Sequence, residues 1–296
     1  MAPVDSIRFL EQGPLGAAVP IVIDSPHSGM IWPEDFLPSA PRAAILTTWD
    51  AFVDELWSAA PTAGASLLSA RFPRAYVDVN RAVDDIDPAL LAEPWPSPLT
   101  PSDYTARGMG LIRRDALPGV PMYDRKLSIA EVRHRIDACY APYRTALAER
   151  IETVRTEFGA VWHINAHSMK SRGNAMNVDS GATRPDFVVS DGRGTTADPS
   201  HTAWVAEWLR ARGHVVQVNE PYVGGDLVRT HGSPATGRHS IQIEINRALY
   251  MTEATFARGA RFDEVRALCG ELVRDLAARV IAGTRAGAKS GARWRG

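Results

Sequence analysis

Two features of the sequence predict an α/β fold, with a mostly parallel, mixed sheet and helices on both faces of the sheet. Short apolar runs rich in β-branched residues are typical of strands buried on both faces, and they lie at 20–24, 75–79, 160–164, 186–190, 214–218 and 240–245. Helical patterns separate them, at 50–60, at 128–158, from 198 to 213, and at 262–281. Strands that alternate with helices predict three layers, with the sheet in the middle.

Two of the predicted helices carry recognisable start signals. Ser128 and Glu131 of "SIAE" form a capping-box pattern, in which each side chain satisfies a free donor at the helix end. Asp198 is followed by Pro199, and proline is favoured at the first helical position. These signals support the predicted starts near 128 and 198.

The proline-rich segment from 84 to 124 interrupts the alternation of strands and helices. We predict an ordered loop or lid over one end of the sheet, and a linker between two domains is the alternative. Neither side of the segment carries enough apolar pattern for an independent core. We therefore predict one domain, 1–285, followed by a basic tail, 286–296.

Composition excludes several classes of protein. Of the 296 residues, 45% are hydrophobic and 23% are charged, which argues against disorder, and the formal net charge of -1 gives no sign of a nucleic-acid or membrane surface. Cys139 and Cys269 lie in apolar helical patterns, so free buried thiols are expected. Neither a signal peptide nor a membrane span is recognisable, which predicts a soluble, cytoplasmic protein and leaves the oligomeric state open.

Polar side chains follow several of the predicted strands, at the end where ligands bind in parallel sheets. His27 follows the first strand in "SPHSG", Asn80 and Arg81 follow the second, and His167 follows the third in "NAHSM". In "SIQIEINR", side-chain alternation puts Gln242, Glu244 and Asn246 on one face. Such a row lines a cavity if the strand is central, whereas an edge strand with one wet face is the alternative.

His27 and His167 both lie in apparent His-Ser turns, and the equivalence of the two settings favours a shared metal ion. Imidazole and carboxylate ligands suit Zn²⁺, and a catalytic site uses three protein ligands and leaves one position open. Asp50, Asp54 and Glu55 are the candidates for the third ligand, and a helix cap is a strong competing role for Asp50. No G-x-S-x-G, Walker A or G-x-G-x-x-G motif supports a serine hydrolase or a nucleotide site.

Six motifs occur in one order along the chain: "DSPHSG", "WDAFVDEL", "AYVDVNR", "NAHSM", "NEPYVGGDLVRTHG" and "HSIQIEINRALYM". Over about 20–252 the sequence resembles the N-formylglutamate amidohydrolase (deformylase) family, which is related to zinc carboxypeptidases and aspartoacylases. The resemblance implies a single zinc-carboxypeptidase-like, phosphorylase/hydrolase-like α/β domain with one Zn²⁺ per chain. Two departures, Asn165-Ala166 in place of Asp-Cys and "GTTAD" in place of "GTS", do not touch the proposed ligands.

The resemblance also implies residue roles. His27, Asp50 and His167 would bind the metal, Glu244 would be the general base, and Asn80 and Arg81 would hold a substrate carboxylate, with Arg81 also counted as catalytic. Arg229 would hold a second carboxylate, and Ser28 and Gly225 would line the substrate site. The implied reaction is hydrolysis of N-formyl-L-glutamate to formate and L-glutamate, as in histidine catabolism. The alternatives are another small N-formyl or N-acyl amino or dicarboxylic acid as substrate, and a metal-free carboxylate-binding protein.

Overall fold

A seven-stranded mixed sheet lies at the centre of the computed structural model, which describes residues 8–290. The strands of this sheet are β1 (Phe9–Gln12), β2 (Ile21–Ser25), β3 (Ser66–Ala70), β6 (Val161–Met169), β7 (Phe187–Ser190), β8 (Val216–Val218) and β9 (Arg238–Asn246). Their order is β1-β3-β2-β6-β9-β7-β8. The four strands β3, β2, β6 and β9 run parallel; β1 is antiparallel to β3, β7 is antiparallel to β9, and β8 is parallel to β7. Two small hairpins are formed by β4 (Asp115–Leu117) with β5 (Val120–Pro121) and by β10 (Met251–Thr252) with β11 (Ala257–Arg258).

Helices cover both faces of the sheet, and two separate apolar cores result. The helices are α1 (Arg42–Leu46), α2 (Val53–Leu56), α3 (Asp103–Ala106), α4 (Ile129–Arg135), α5 (Ala141–Phe158), α6 (Pro199–Arg210), α7 (Asp226–His231) and α8 (Phe262–Ser290). One core packs α2, α6 and α8 against the sheet, and the other packs α1, α4 and α5 together with much of the chain between 72 and 127. The predicted α/β class with a covered, mostly parallel sheet is confirmed.

The two faces of the central strands differ in chemistry. Ile241, Ile243 and Ile245 of β9 lie in the core beneath α8, as the alternation along the strand requires. Gln242 and Glu244 lie on the opposite face, where β6 places its odd-numbered polar residues from His163 to His167 beside them. The predicted polar row therefore belongs to a central strand, because β9 has β6 on one side and β7 on the other.

The predicted strand at 75–79 is wrong. These residues are buried but irregular, and the second parallel strand of the region is β3, Ser66–Ala70. The backbone of 75–79 is satisfied by groups outside a ladder: Arg135 Nη1 donates to the Tyr76 carbonyl at 3.2 Å, and Arg144 Nη1 donates to the Val79 carbonyl at 3.1 Å. An apolar β-branched run reads the same in a buried loop as in a strand, whereas β3 lacks β-branched residues.

Two further boundaries differ from the predictions. The strand predicted at 160–164 continues to Met169, so His167 lies within β6 and not in a turn after it. The helix predicted at 50–60 shrinks to α2, because Phe52 at its start has a left-handed backbone, with φ at 61°.

The long predicted helix at 128–158 is present, with the Ser128–Glu131 capping box formed and one π-helical turn at Ile136–Tyr140 between α4 and α5. Pro199 begins α6 as predicted. The last helix, α8, extends beyond the predicted residue 281 to Ser290.

The proline-rich segment is ordered and packs on the sheet, with Leu111 and Ile112 fully buried. The predicted domain limits, 1–285, remain a prediction. In the predicted tail, 286–290 belong to α8, and 291–296 lie outside the described residues. Among the described helices, none is long and apolar enough to cross a membrane.

Candidate metal centre and active site

Three polar side chains from three distant parts of the chain meet at the carboxyl end of β2 and β6. His27 Nδ1 lies 3.3 Å from Asp50 Oδ2, His167 Nδ1 lies 3.0 Å from the same oxygen, and the two Nδ1 atoms are 3.0 Å apart. All three residues are buried. The predicted set His27, Asp50 and His167 is therefore brought together by the fold, with its ligand atoms facing one another.

The far nitrogen of each imidazole has a partner of its own. His27 Nε2 is 2.7 Å from Asp78 Oδ1, and His167 Nε2 is 2.7 Å from Asn165 Oδ1 and 3.0 Å from Asn80 Nδ2. When each Nε2 carries the proton and donates it, each Nδ1 presents a lone pair to the centre, which is the tautomer that a metal ligand needs. Asn80 Nδ2 also lies 3.3 Å from Asn165 Oδ1, which fixes this amide from a second side.

Asn165 is held in turn by a buried carboxylate. Its Nδ2 donates to Asp24 Oδ1 at 2.8 Å, while His163 Nε2 contacts the same oxygen at 2.9 Å and the Tyr143 hydroxyl donates to Asp24 Oδ2 at 2.8 Å. Asp24 and His163 are both buried, and through Asn165 their hydrogen bonds hold the imidazole of His167 in place.

Asp50 is fixed as an anion by its surroundings. Its second oxygen, Oδ1, accepts a hydrogen bond from Arg247 Nη2 at 2.9 Å. Burial acts to raise the pKa of Asp50, but the hydrogen bonds with His167 and His27 hold that pKa well below the usual range. The alternative role of helix cap does not apply, because α2 starts at Val53 without a side-chain cap.

The donor set fits a divalent transition metal. In a tetrahedral site with ligands about 2.0–2.1 Å from Zn²⁺, neighbouring ligand atoms are roughly 3.3 Å apart, close to the sides of the His27–Asp50–His167 triangle. Two imidazoles, one carboxylate and an open side towards a cavity are the arrangement of catalytic zinc sites in peptidases. Of the other two candidates, Glu55 is partly exposed and paired with Arg258, and Asp54 lies outside the cavity, so neither joins the triangle.

Glu244 lies opposite His167 in the β6–β9 pairing and borders the same cavity. Its Oε1 accepts a hydrogen bond from Gln242 Nε2 at 2.9 Å. Burial raises the pKa of Glu244, and the negative charge of Asp50 acts in the same direction. A buried carboxylate with a raised pKa beside a metal centre is suited to accept and return a proton.

The cavity in front of the triangle has a volume of about 130 Å³. Of the predicted substrate residues, Asn80, Arg81 and Gly225 line it. A side chain at Gly225 would collide with Asn80, since a Cβ there would lie 2.3 Å from Asn80 Nδ2. Ser28 does not line the cavity, because its hydroxyl faces Ser25, and Arg229 is exposed, with Nη1 on the Gly224 carbonyl.

Asp78, Arg74 and Arg247 complete the site, although the sequence assigned them no role. Arg74 Nη2 donates to Asp78 Oδ2 at 2.7 Å. Burial acts to raise the pKa of Asp78, but Arg74 and His27 hold it well below its usual value. The available signals were weak: Asp78 stands two residues before Asn80, and Arg247 directly follows the polar strand β9.

Fold and site together define an α/β protein with a candidate metal centre of the kind found in metal-dependent hydrolases. The profile of the family described as N-formylglutamate amidohydrolase matches residues 19–251 of this chain. The chain is 31% identical, over 88% of its length and 93% of the relative's, to N-formylglutamate deformylase of Pseudomonas aeruginosa. It is 27% identical to N-formylglutamate deformylase of Pseudomonas putida, over 84% of its length and 87% of the relative's.

The crystal structure of N-formylglutamate amidohydrolase from Ralstonia eutropha JMP134 superposes with a TM-score of 0.89 at 43% identity, covering 94% of this chain and 99% of that one. A second structure, gene product Atu2144 from Agrobacterium tumefaciens, shares the fold at a TM-score of 0.59 and 20% identity, over 92% and 97% of the two chains. This chain belongs to the N-formylglutamate amidohydrolase family.

Proposed function

We propose that this protein hydrolyses the formamide bond of N-formyl-L-glutamate and releases formate and L-glutamate, using one Zn²⁺ held by His27, Asp50 and His167. The observation that carries the proposal is the convergence of these three ligand atoms, fixed from behind by Asp78 and Asn165, at the floor of the cavity. The family membership and the names of the relatives support the choice of substrate. A step in histidine catabolism and a cytoplasmic location are parts of the same proposal.

The ion, when bound, supplies Lewis acidity that polarises a carbonyl and lowers the pKa of a water molecule towards ~7. Glu244 takes a proton from the attacking water, whose oxygen forms a bond to the formyl carbon. As the carbon–nitrogen bond breaks, Glu244 returns that proton to the departing amine nitrogen. The raised pKa of Glu244 suits it to both transfers, since its protonated form is not strongly acidic.

Arg81 and Asn80 orient the substrate. Arg81 is held with Nε on the Met109 carbonyl at 3.0 Å and Nη1 on the Asn80 carbonyl at 3.0 Å, and it stacks over the Tyr104 ring at 4.1 Å. Among residues 8–290 no carboxylate pairs with Arg81, so its remaining donors can form a charge-assisted hydrogen bond with a substrate carboxylate. A guanidinium fixed in this way positions the formamide without a large loss of side-chain entropy on binding.

The test is formate release from N-formyl-L-glutamate by chelator-treated protein, measured before and after Zn²⁺ is added. We expect activity after the addition and one Zn²⁺ per chain by elemental analysis. Asp50→Asn should lose bound zinc, and its formate release should fall by more than the ~100-fold that loss of an outer hydrogen bond typically costs. Glu55→Gln is the matched control, because Glu55 pairs with Arg258 outside the cavity, and it should keep both zinc and activity.

Two outcomes would contradict the proposal. Stoichiometric zinc without formate release would retain the metal site but reject the substrate, and other N-formyl or N-acyl acids would then be the compounds to assay. Neither zinc nor formate release would reject the enzyme and favour the carboxylate-binding alternative.

A further inference from the structure

The walls of the cavity carry a large excess of positive charge. Six cationic side chains line it, namely Arg74, Arg81, Arg113, Lys170, Arg184 and Arg247, against two carboxylates, Asp50 and Glu244. Three of the six have carboxylate partners within the protein: Arg74 pairs with Asp78, Arg184 pairs with Asp179 through two hydrogen bonds, and Arg247 pairs with Asp50. Within the part of the chain that the structure describes, Arg81, Arg113 and Lys170 pair with no carboxylate, so the cationic side chains of the cavity outnumber the carboxylates that could neutralise them.

Arg113 is the clearest of the uncompensated cations. It is 6% exposed, its Nε has no partner, and among the residues that the structure describes its side chain forms neither an ion pair nor a hydrogen bond. Burial lowers the pKa of Arg113 to about 9, and the nearby charge of Arg74 adds to the effect. A buried guanidinium that meets no anion in its own protein is costly, and a bound anion would remove the cost.

The chain around Arg113 is fixed in place. The segment Met109–Arg113 closes on itself through an antiparallel bridge, and Leu111 N donates to the Asp85 carbonyl at 2.7 Å. The Leu111 carbonyl accepts a hydrogen bond from Asp78 N at 2.9 Å, and the Met109 carbonyl accepts one from Arg81. Arg113 is thus tied to the segment that carries Asp78 and Arg81, and the two unpaired arginines are preorganised relative to the metal centre.

We propose that Arg113 binds one carboxylate of a dicarboxylate substrate, while Arg81 binds the other. This inference rests on the proposed function and deepens it, because it makes Arg113 the residue that selects N-formyl dicarboxylic acids over N-formyl monocarboxylic acids. Two guanidinium groups that pair with no carboxylate among the described residues match the two negative charges of such a substrate. Arg229, which the sequence suggested for the second carboxylate, is exposed outside the cavity.

The experiment compares Arg113→Met with wild type, both loaded with zinc, on three substrates. These are N-formyl-L-glutamate, N-formyl-L-glutamine, in which the side-chain carboxylate is an amide, and N-formyl-L-isoglutamine, in which the α-carboxylate is an amide. The variant should lose about 10–100-fold in kcat/KM on N-formyl-L-glutamate, mostly through KM. On one of the two amides it should match wild type, because that substrate no longer offers the carboxylate that Arg113 binds.

Arg261→Met is the matched control, since it removes an exposed arginine that pairs with Glu264 outside the cavity, and it should match wild type on all three substrates. Thermal unfolding is a second measurement. Arg113→Met removes a buried charge that has no partner, so its Tm should equal or exceed that of wild type, although its activity is lower. A purely structural role for Arg113 would instead lower the Tm.

The outcomes separate this inference from the proposed function. If wild type releases no formate from any of the three substrates, the proposed function fails. If wild type is active but Arg113→Met loses the same factor on all three, or if Lys170→Met and not Arg113→Met shows the selective loss, the assignment of Arg113 is wrong and the function stands. If wild type itself treats the three substrates alike, the site does not recognise a dicarboxylate and the inference is also wrong.

Discussion

Replacing Asp78 with asparagine should weaken zinc binding even though Asp78 does not touch the metal position. Asp78 Oδ1 accepts from His27 Nε2 at 2.7 Å and from Asn80 N at 3.0 Å, while Oδ2 accepts from Arg74 Nη2 at 2.7 Å. An asparagine can keep its oxygen on His27 only by turning its NH₂ group towards Arg74, where two donors would face each other. The flipped amide relieves that contact but presents NH₂ to Nε2, which forces the proton of His27 onto Nδ1 and removes the ligand lone pair.

Either arrangement of the amide is costly for the metal. Loss of an outer-shell partner lowers metal affinity by about 10–100-fold, which corresponds to about 1.4–2.7 kcal/mol of binding free energy. We therefore expect the zinc Kd of Asp78→Asn to rise by about that factor, measured by competition with a chromophoric chelator. Asp35→Asn is the matched control, because Asp35 accepts a hydrogen bond from Tyr76 outside the cavity, and its zinc affinity should be unchanged.

A zinc Kd for Asp78→Asn within twofold of wild type, in protein with a cooperative thermal transition, would refute the argument from tautomer control. A variant that binds zinc weakly but also unfolds at low temperature would show only that Arg74 needs its partner. The chelator titration is therefore read together with a melting curve of the metal-free protein.

Two further predictions concern stability. Burial, with repulsion from Glu55, raises the pKa of Asp54 to about 6, so the native state holds this proton more tightly than the unfolded chain does. The free energy of unfolding therefore falls as pH rises from about 4 to 6. Asp54→Asn should be more stable than wild type above pH 6, by at most ~3 kcal/mol before solvent screening, and equally stable below pH 4. Urea titrations across this pH range measure the difference, and a difference that does not change with pH would contradict the prediction. Ser128→Ala removes the hydroxyl that caps α4 and should cost about 1 kcal/mol in the same urea assay, whereas Thr153→Ala, an exposed hydroxyl in mid-helix, should cost less.

The sequence predicted the structure correctly where residue chemistry follows the period of a strand or marks the start of a helix. The alternation of isoleucine with Gln242 and Glu244 in β9 predicted both the buried face and the polar face correctly, and the Ser128 capping box located the start of α4. From the residue pattern alone Asp50 was one of three candidate ligands, and the family resemblance favoured it. The structure places its carboxylate beside the two histidines. The choice depended on the backbone around Phe52, whose left-handed conformation has no local sequence signal.

Other features depend on contacts that no local pattern encodes. The run at 75–79 looks like a strand, but it lies against the Met109–Arg113 segment and not against a neighbouring strand. Arg113 lies in a proline-rich segment with no motif that marks it as functional. It stands out because its buried Nε has no hydrogen-bond partner, and this is seen only once the residues around it are placed. The roles of Asp78 and Arg113 are consequences of tertiary packing.

The irregular segment from 75 to 81 carries Asp78, Asn80 and Arg81, and it is fastened from outside the sheet. Arg135 of α4 donates to the Tyr76 carbonyl, and Arg144 of α5 donates to the carbonyls of Val79 and Arg81. Two helix side chains that do not line the cavity therefore help to fix the backbone that carries Asp78, Asn80 and Arg81. Lysine and glutamine are compatible with a helix, but at Arg135 or Arg144 neither can replace the guanidinium that holds the 75–81 backbone. Substitutions at these two positions should therefore lower activity while leaving the helix content unchanged.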